Sequence, residues 1–262
     1  MLDPITIRYP IRPARRSLAV GQTADLFGLT LEEAPHTVAD NLALDIAPGA
    51  LVLFTGPSGS GKSSIMRAVA AQLHAINAAA LELPELPLVD ALPGPVNDRL
   101  AHLAACGLGE ARLLLRTPSE LSDGQRYRFR IAYAMSQSKN PLTPTTPSPT
   151  REEGNMIVLD EFGANLDRTL AKVLAFNLRK LVTRLGIGAL CATTHEDLTS
   201  DLEPDTWVRC LGDGQVEVEQ RQAKKNGSAL ATISGFPSVP VPTGRTSLGG
   251  ITAPTTSPTP AA

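Results

Sequence analysis

An α/β fold with a mostly parallel central sheet is predicted by two observations on this sequence of 262 residues. Short continuous apolar runs, "LVLFTG", "MIVLDEF" and "IGALCATTH", read as strands covered on both faces, as parallel strands are. Segments with apolar residues at helical spacing alternate with them, and that alternation implies a sheet between helical layers.

The elements follow in order. "ITIRYPI" alternates like a half-buried strand, and "TVADNLALDIAPG" continues with Leu42, Leu44 and Ile46 before a Pro-Gly turn. After "LVLFTG", the segment "SSIMRAVAAQLHAI" places Ile65, Ala68, Val69 and Leu73 on one helical face. "RTLAKVLAFNLRKLVTRLG" does the same with Leu170, Val173, Leu174, Leu178, Leu181, Val182 and Leu185, leaving Arg179, Lys180 and Arg184 mostly to a solvated face. "TWVRCLGDGQVEV" reads as a hairpin across Asp213–Gly214. One stretch, "LSDGQRYRFRIAYAM", is ambiguous. Its alternation from Arg126 to Ile131 has the period of a strand, while the residues in front resemble a phosphate-recognition loop opening a helix.

Two segments are rich in Pro, Thr and Ser and lack apolar periodicity. Residues 137–154 are expected to be a flexible insertion, and residues 222–262 a disordered tail. Both are expected to act as spacers around a folded domain over residues 1–221. Lys and Arg number 24 against 26 Asp and Glu, so composition gives no general attraction to nucleic acid or to an anionic membrane. No stretch approaches the roughly 20 apolar residues of a membrane span, and "MLDPITIRYP" lacks a signal-peptide pattern, which points to the cytoplasm. Cys106, Cys191 and Cys210 lack metal-type spacing and are expected to be buried thiols.

"GPSGSGKSS" carries the clearest chemistry: Gly56, Pro57, Ser58, Gly59, Ser60, Gly61, Lys62, Ser63 and Ser64 match G-x-x-x-x-G-K-[ST] between a buried strand and a helix. Glycines let several amides converge on one phosphate, and the following helix adds its positive end. Lys62 would reach the β- and γ-phosphates, and Ser63 would ligate Mg2+. "MIVLDEF" ends in Asp160 and Glu161, at the sheet edge where α/β folds bind ligands. Asp160 is placed to hold the metal. Glu161 is placed to polarise a water as a general base.

Together these motifs resemble the ATP-binding-cassette (ABC) ATPase superfamily over most of residues 1 to 220. Gly56–Ser63 look like its Walker A loop and "VLDE" like Walker B with the catalytic glutamate. "LSDGQ" looks like the signature, with Asp123 where glycine is commonest. "ANLD", Ala164–Asp167, looks like the D-loop, and "TTHED" supplies His195 as the switch histidine. The resemblance implies a P-loop NTPase core, an N-terminal antiparallel β-subdomain and a small α-helical signature subdomain. It implies a helix over Tyr127–Met135, with Arg126, Arg128 and Arg130 spread around it in solvent or ion pairs. It also implies ATP and Mg2+ as ligands and an ATP-dependent head-to-tail homodimer. Ser122, Gly124 and Gln125 of one copy would face the phosphate loop of the other. Adenine would stack on an aromatic upstream of the loop: Phe27 is the candidate, with His36 also in range and a core role for Phe27 as the alternative.

The pattern departs from transporter cassettes in places. The stretch from Lys62 to Ser122 is shorter, and no glutamine stands where the family's Q-loop is expected. "LPLVDALPG" looks like the corresponding strand end, with Asp90 either reaching Mg2+ or serving as a turn acid. Phe162 and Gly163 replace the usual Pro-Thr. The expected function is therefore ATP hydrolysis driving an unknown partner protein that is not membrane-bound. The alternatives are the ATP-binding subunit of a transporter with a membrane partner, and an ATP-gated binding module.

Overall fold

The computed structural model describes residues 2–9, 17–28, 35–138 and 155–221, which fall within one unit, Met1–Gln222. The expected insertion and tail lie outside the described residues, except that Gln137 and Ser138 end a helix. Strands are Ile5–Tyr9 (β1), His36–Leu42 (β2), Leu51–Thr55 (β3), Ile76–Asn77 (β4), Met156–Leu159 (β5), Gly188–Thr193 (β6), Thr206–Gly212 (β7) and Gln215–Gln220 (β8). β1 and β2 pair antiparallel as a separate ribbon. The others form a six-stranded sheet in the order β4-β5-β6-β3-β7-β8, parallel except for β7 with β8. The β7–β8 turn has Asp213 and Gly214 both left-handed, at φ 49° and 76°, the geometry that matches strand twist in tight hairpins.

The helices are Leu18–Phe27 (α1), Lys62–Gln72 (α2), Leu88–Ala91 (α3), Val96–Ala105 (α4), Ala111–Leu114 (α5), Asp123–Ser138 (α6), Arg168–Leu185 (α7) and Thr199–Leu202 (α8). Among them none is long and apolar enough to cross a membrane. β3 explains the continuous apolar runs: Leu51 and Leu53 enter the core shared with α6 and α7, while Val52 and Phe54 enter the one shared with α2 and the β1–β2 ribbon. The strand expected through Ile46 stops at Leu42. There Asn41 adopts φ 49° and gives its N–H to the Thr6 hydroxyl, in a stretch where the register with β1 shifts, and Leu44 is buried beyond the paired segment. "LPLVDALPG" is not a strand end: Leu88–Ala91 is a single helical turn.

α6 resolves the ambiguous stretch in favour of a helix. Phe129, Ile131, Ala132, Ala134 and Met135 are buried, and burying a side chain like Phe129 is worth about 2 kcal/mol. The three arginines are neither a sheet face nor simply solvated. Arg126 donates to the carbonyls of Pro118 and Leu121 at 3.0 and 2.9 Å, beside a 3.4 Å ion pair with Asp123. Arg128 donates to the carbonyls of Gly124 and Gly107. Arg130 reaches those of Ala79 and Leu81 at 3.1 and 2.8 Å. The helix is thereby fastened to the connections around it.

A second fastening joins α7 to β3. Asp205 accepts two bonds from the Arg179 guanidinium, at 2.7 and 3.0 Å, and one from the Leu51 amide at 2.8 Å. Burial pushes its carboxyl up, but the bonds from Arg179 and Leu51 outweigh this and hold it below the ordinary 3.8. The stabilisation is therefore fully present above pH 3.8 and is lost as pH falls through the lower folded value. Asp205→Asn is expected to cost about 1 kcal/mol at neutral pH and to flatten the acid limb of stability, read by urea unfolding across pH. An unchanged acid limb would refute this assignment.

Candidate functional site

β3, β5 and β6 end at one edge of the sheet, and each delivers a piece of the site there. The phosphate loop leaves β3 and feeds α2. A Cβ on Gly56 would lie 2.0 Å from the Cys210 carbonyl oxygen, and one on Gly61, at φ 91°, would lie 2.1 Å from the Val38 side chain. Only glycine allows this curl. Lys62 is 9% exposed and donates to the Gly56 and Pro57 carbonyls at 2.8 and 2.7 Å, bridging the loop from within. Burial lowers its pKa, while Cys210 and Asp160 act in the opposite direction. The Ser60 hydroxyl is buried with no partner among the described residues.

The Ser63 hydroxyl donates to the Asp160 carboxylate at 2.9 Å. The two oxygens expected to hold a metal are thus adjacent, and hard oxygen donors suit Mg2+. Among the described residues no three His, Cys, Asp or Glu side chains gather as a metal cage. An ion at this pair would complete its shell with phosphate and water, as Mg2+ does. Glu161 follows at φ 51°, rare for a residue with a side chain, and its amide donates to Asp160 at 3.0 Å. The turn is pinned where Phe162 donates its N–H to the Ala192 carbonyl at 2.7 Å.

These residues line a cleft of about 440 Å3. One wall is the loop, Ser58, Gly59 and Gly61–Ser64; the other is Asp160, Glu161, Thr193 and Thr194. His195 comes next in the chain, and its N–H is held by the Thr193 hydroxyl at 3.1 Å. No residue of the signature lines this cleft. Ser122 and Gln125 instead cap the start of α6 reciprocally: the Ser122 N–H donates to the Gln125 side chain at 3.1 Å, and the Gln125 N–H to the Ser122 hydroxyl at 3.4 Å. Gly124 faces the D-loop: a Cβ there would meet the Asn165 carbonyl at 3.4 Å.

Two expected site residues are elsewhere. Asp90 lies in α3, 3.7 Å from Arg99, away from Ser63 and Asp160, because the strand end expected there is a helical turn. Phe27 is 74% exposed on α1, a helix inserted between β1 and β2, and does not line the cleft. His36 opens β2, opposite Tyr9 in the ribbon. Among the described residues, the aromatic that reaches the loop is Tyr9, whose hydroxyl is 2.9 Å from that of Ser64 while its side chain stays partly exposed. Its signal in the sequence is its place at the end of the first alternating strand.

No family model matches the chain. It is 30% identical over 225 residues to the aliphatic sulfonates import ATP-binding protein SsuB 1 of Streptomyces avermitilis, covering 79% of each chain. To the lipoprotein-releasing system ATP-binding protein LolD of Novosphingobium aromaticivorans it is 28% identical over 257 residues, covering 83% of this chain and all of that one. Among solved structures it shares the fold of the dimeric bacterial ABC transporter cassette MJ0796, with a TM-score of 0.53 and 18% identity over 84% of this chain and 98% of that chain. The chain belongs to the ATP-binding-cassette superfamily, and is an ATPase of that family.

Proposed function

We propose that this chain is the ATP-hydrolysing subunit of an ABC transporter, working as a head-to-tail pair on Mg-ATP to move a membrane partner. The relatives do not support the sequence-based preference for a partner away from the membrane, since both are named as ATP-binding proteins of import or release systems. The observation that carries the chemistry is the 2.9 Å contact between Ser63 and Asp160, beside Glu161, at the mouth of the glycine loop.

In this reading the loop amides and Lys62 bind the β- and γ-phosphates. Ser63 and Asp160 would hold Mg2+, which supplies neutralisation of phosphate charge when bound. Glu161 takes the proton of the attacking water, and His195 approaches the γ-phosphate from the Thr193 side. Ser122 and Gly124 of a second copy close over the cleft, where their own copy does not reach. ATP thus favours the closed pair, and hydrolysis releases it.

Tyr9 takes the adenine in place of Phe27. Tyr9→Ala is expected to raise KM for ATP about tenfold, the usual value of one base stack, while Phe27→Ala leaves it unchanged. A KM raised by Phe27→Ala and left unchanged by Tyr9→Ala would return the role to Phe27. The transporter reading is tested by cross-linking the Glu161→Gln chain in cells and identifying what is attached. A membrane-spanning protein is expected. A chain found wholly in the soluble fraction, attached to soluble proteins alone, would overturn the membrane half and leave the ATPase standing.

A further inference from the structure

We propose that Trp207 is a positioning residue for ATP binding, acting through Thr55 on the entrance of the phosphate loop. Thr55 is fully buried at the end of β3 and immediately precedes Gly56. Its hydroxyl accepts a 2.8 Å bond from the Trp207 indole N–H, across from β7. The same strand supports the loop again one step further on, where Gly56 abuts the Cys210 carbonyl too closely for any Cβ. The loop's first residues are thus held from the side by a hydrogen bond and from β7's backbone by contact.

Thr55 also stands in the middle of a row. It is in register with Thr193 of β6 on one side and with Arg209 of β7 on the other. Thr193 lines the cleft and holds the His195 amide. A shift of Thr55 would therefore reach both the loop and the strand end that presents the histidine. Trp207 is itself held in place. The Arg209 guanidinium lies 4.8 Å from the ring centroid and is bound by Glu217 at 3.2 Å and by Glu219. Losing the indole N–H would leave a buried hydroxyl without its donor and loosen the last residue before the loop. Amides converging on one phosphate tolerate little such movement.

The inference rests on the loop being the ATP site, so the two are tested apart. Trp207→Phe keeps a ring for Arg209 and removes the N–H, but it also shrinks a side chain packed against the core, so it is read beside the cleaner hydroxyl deletion. Thr55→Val keeps the shape and removes only the acceptor. Each is expected to raise KM for ATP about fivefold, the equivalent of one ordinary hydrogen bond, with kcat within about twofold of the parent. The double variant should be no worse than either single one, and Thr55→Ser should restore the parent value. Trp207 is the chain's one tryptophan, so its emission should change saturably with ATP in the parent and less in Thr55→Val. Parental KM in both single variants, whatever their thermal stability, would overturn the proposal. So would effects that multiply in the double variant, or parent emission that ignores saturating ATP. If the single variants fail to fold, the parent emission titration and Thr55→Ser still decide. Undiminished ATP binding by Lys62→Ala would instead sink the loop assignment on which the proposal rests.

Discussion

Glu161→Gln is expected to cut ATP turnover by roughly 10²–10⁴-fold, the usual contribution of a general base, while ATP-dependent pairing survives or strengthens. The carboxylate lines the cleft next to the Ser63–Asp160 contact. Glutamine keeps the size and one oxygen, but it cannot take a proton from water. It also removes a negative charge from the cleft proposed to hold the phosphates, so the bound state would be relieved of repulsion. The backbone at φ 51° is held by bonds that do not involve this side chain, the amide to Asp160 and the neighbouring Phe162 N–H to Ala192, so folding should be unaffected. Phosphate release, gel filtration with and without ATP, and thermal unfolding together read the result. Turnover equal to the parent would remove Glu161 from the chemistry.

Lys62→Ala is expected to weaken ATP binding by more than about 100-fold, since charge-assisted bonds to phosphate are worth roughly 1.5–3 kcal/mol each and more than one is lost. The ammonium sits inside the loop, on the carbonyls of Gly56 and Pro57. Its removal deletes both the charge and the bridge that keeps the loop curled. Burial lowers the lysine's pKa, so its charge is held at some cost and is favoured by an incoming anion. Calorimetric titration with ATP checks the prediction, with circular dichroism to confirm the fold. Tight binding by the variant would mean that the phosphates lie elsewhere.

Much of this architecture is legible because few environments suit the residues involved. β3, β5 and β6 are buried throughout, so their apolar runs admit little besides central strands. The loop is legible because Gly56 and Gly61 stand where a side chain would collide with Cys210 and Val38. α6 is harder, because every second residue from Arg126 to Arg130 is an arginine and the period imitates a strand. What separates the two is burial of Phe129, Ile131 and Met135 together with carbonyl partners, of which those of Arg130 lie about fifty residues upstream. Asp90 misleads because a single helical turn flanked by prolines resembles a strand end. Tyr9 shows that closeness along the chain is a poor guide to what meets the loop. Tyr9 meets Ser64 only because β1 docks beside α2, a tertiary event that no local pattern records.

The clamps on α6 have a consequence for how such a molecule can change. Arg126, Arg130 and, through Gly107, Arg128 fasten the helix to oxygens of the main chain, and that atom is common to every amino acid. Side chains at exposed positions such as 79 and 80 can therefore drift without loosening the joint, whereas Gly107, where a Cβ would lie 2.8 Å from Arg128 itself, and the buried Ala78, Pro118 and Leu121 are fixed. One rigid frame can then present many different outer surfaces, each shaped to its own neighbour.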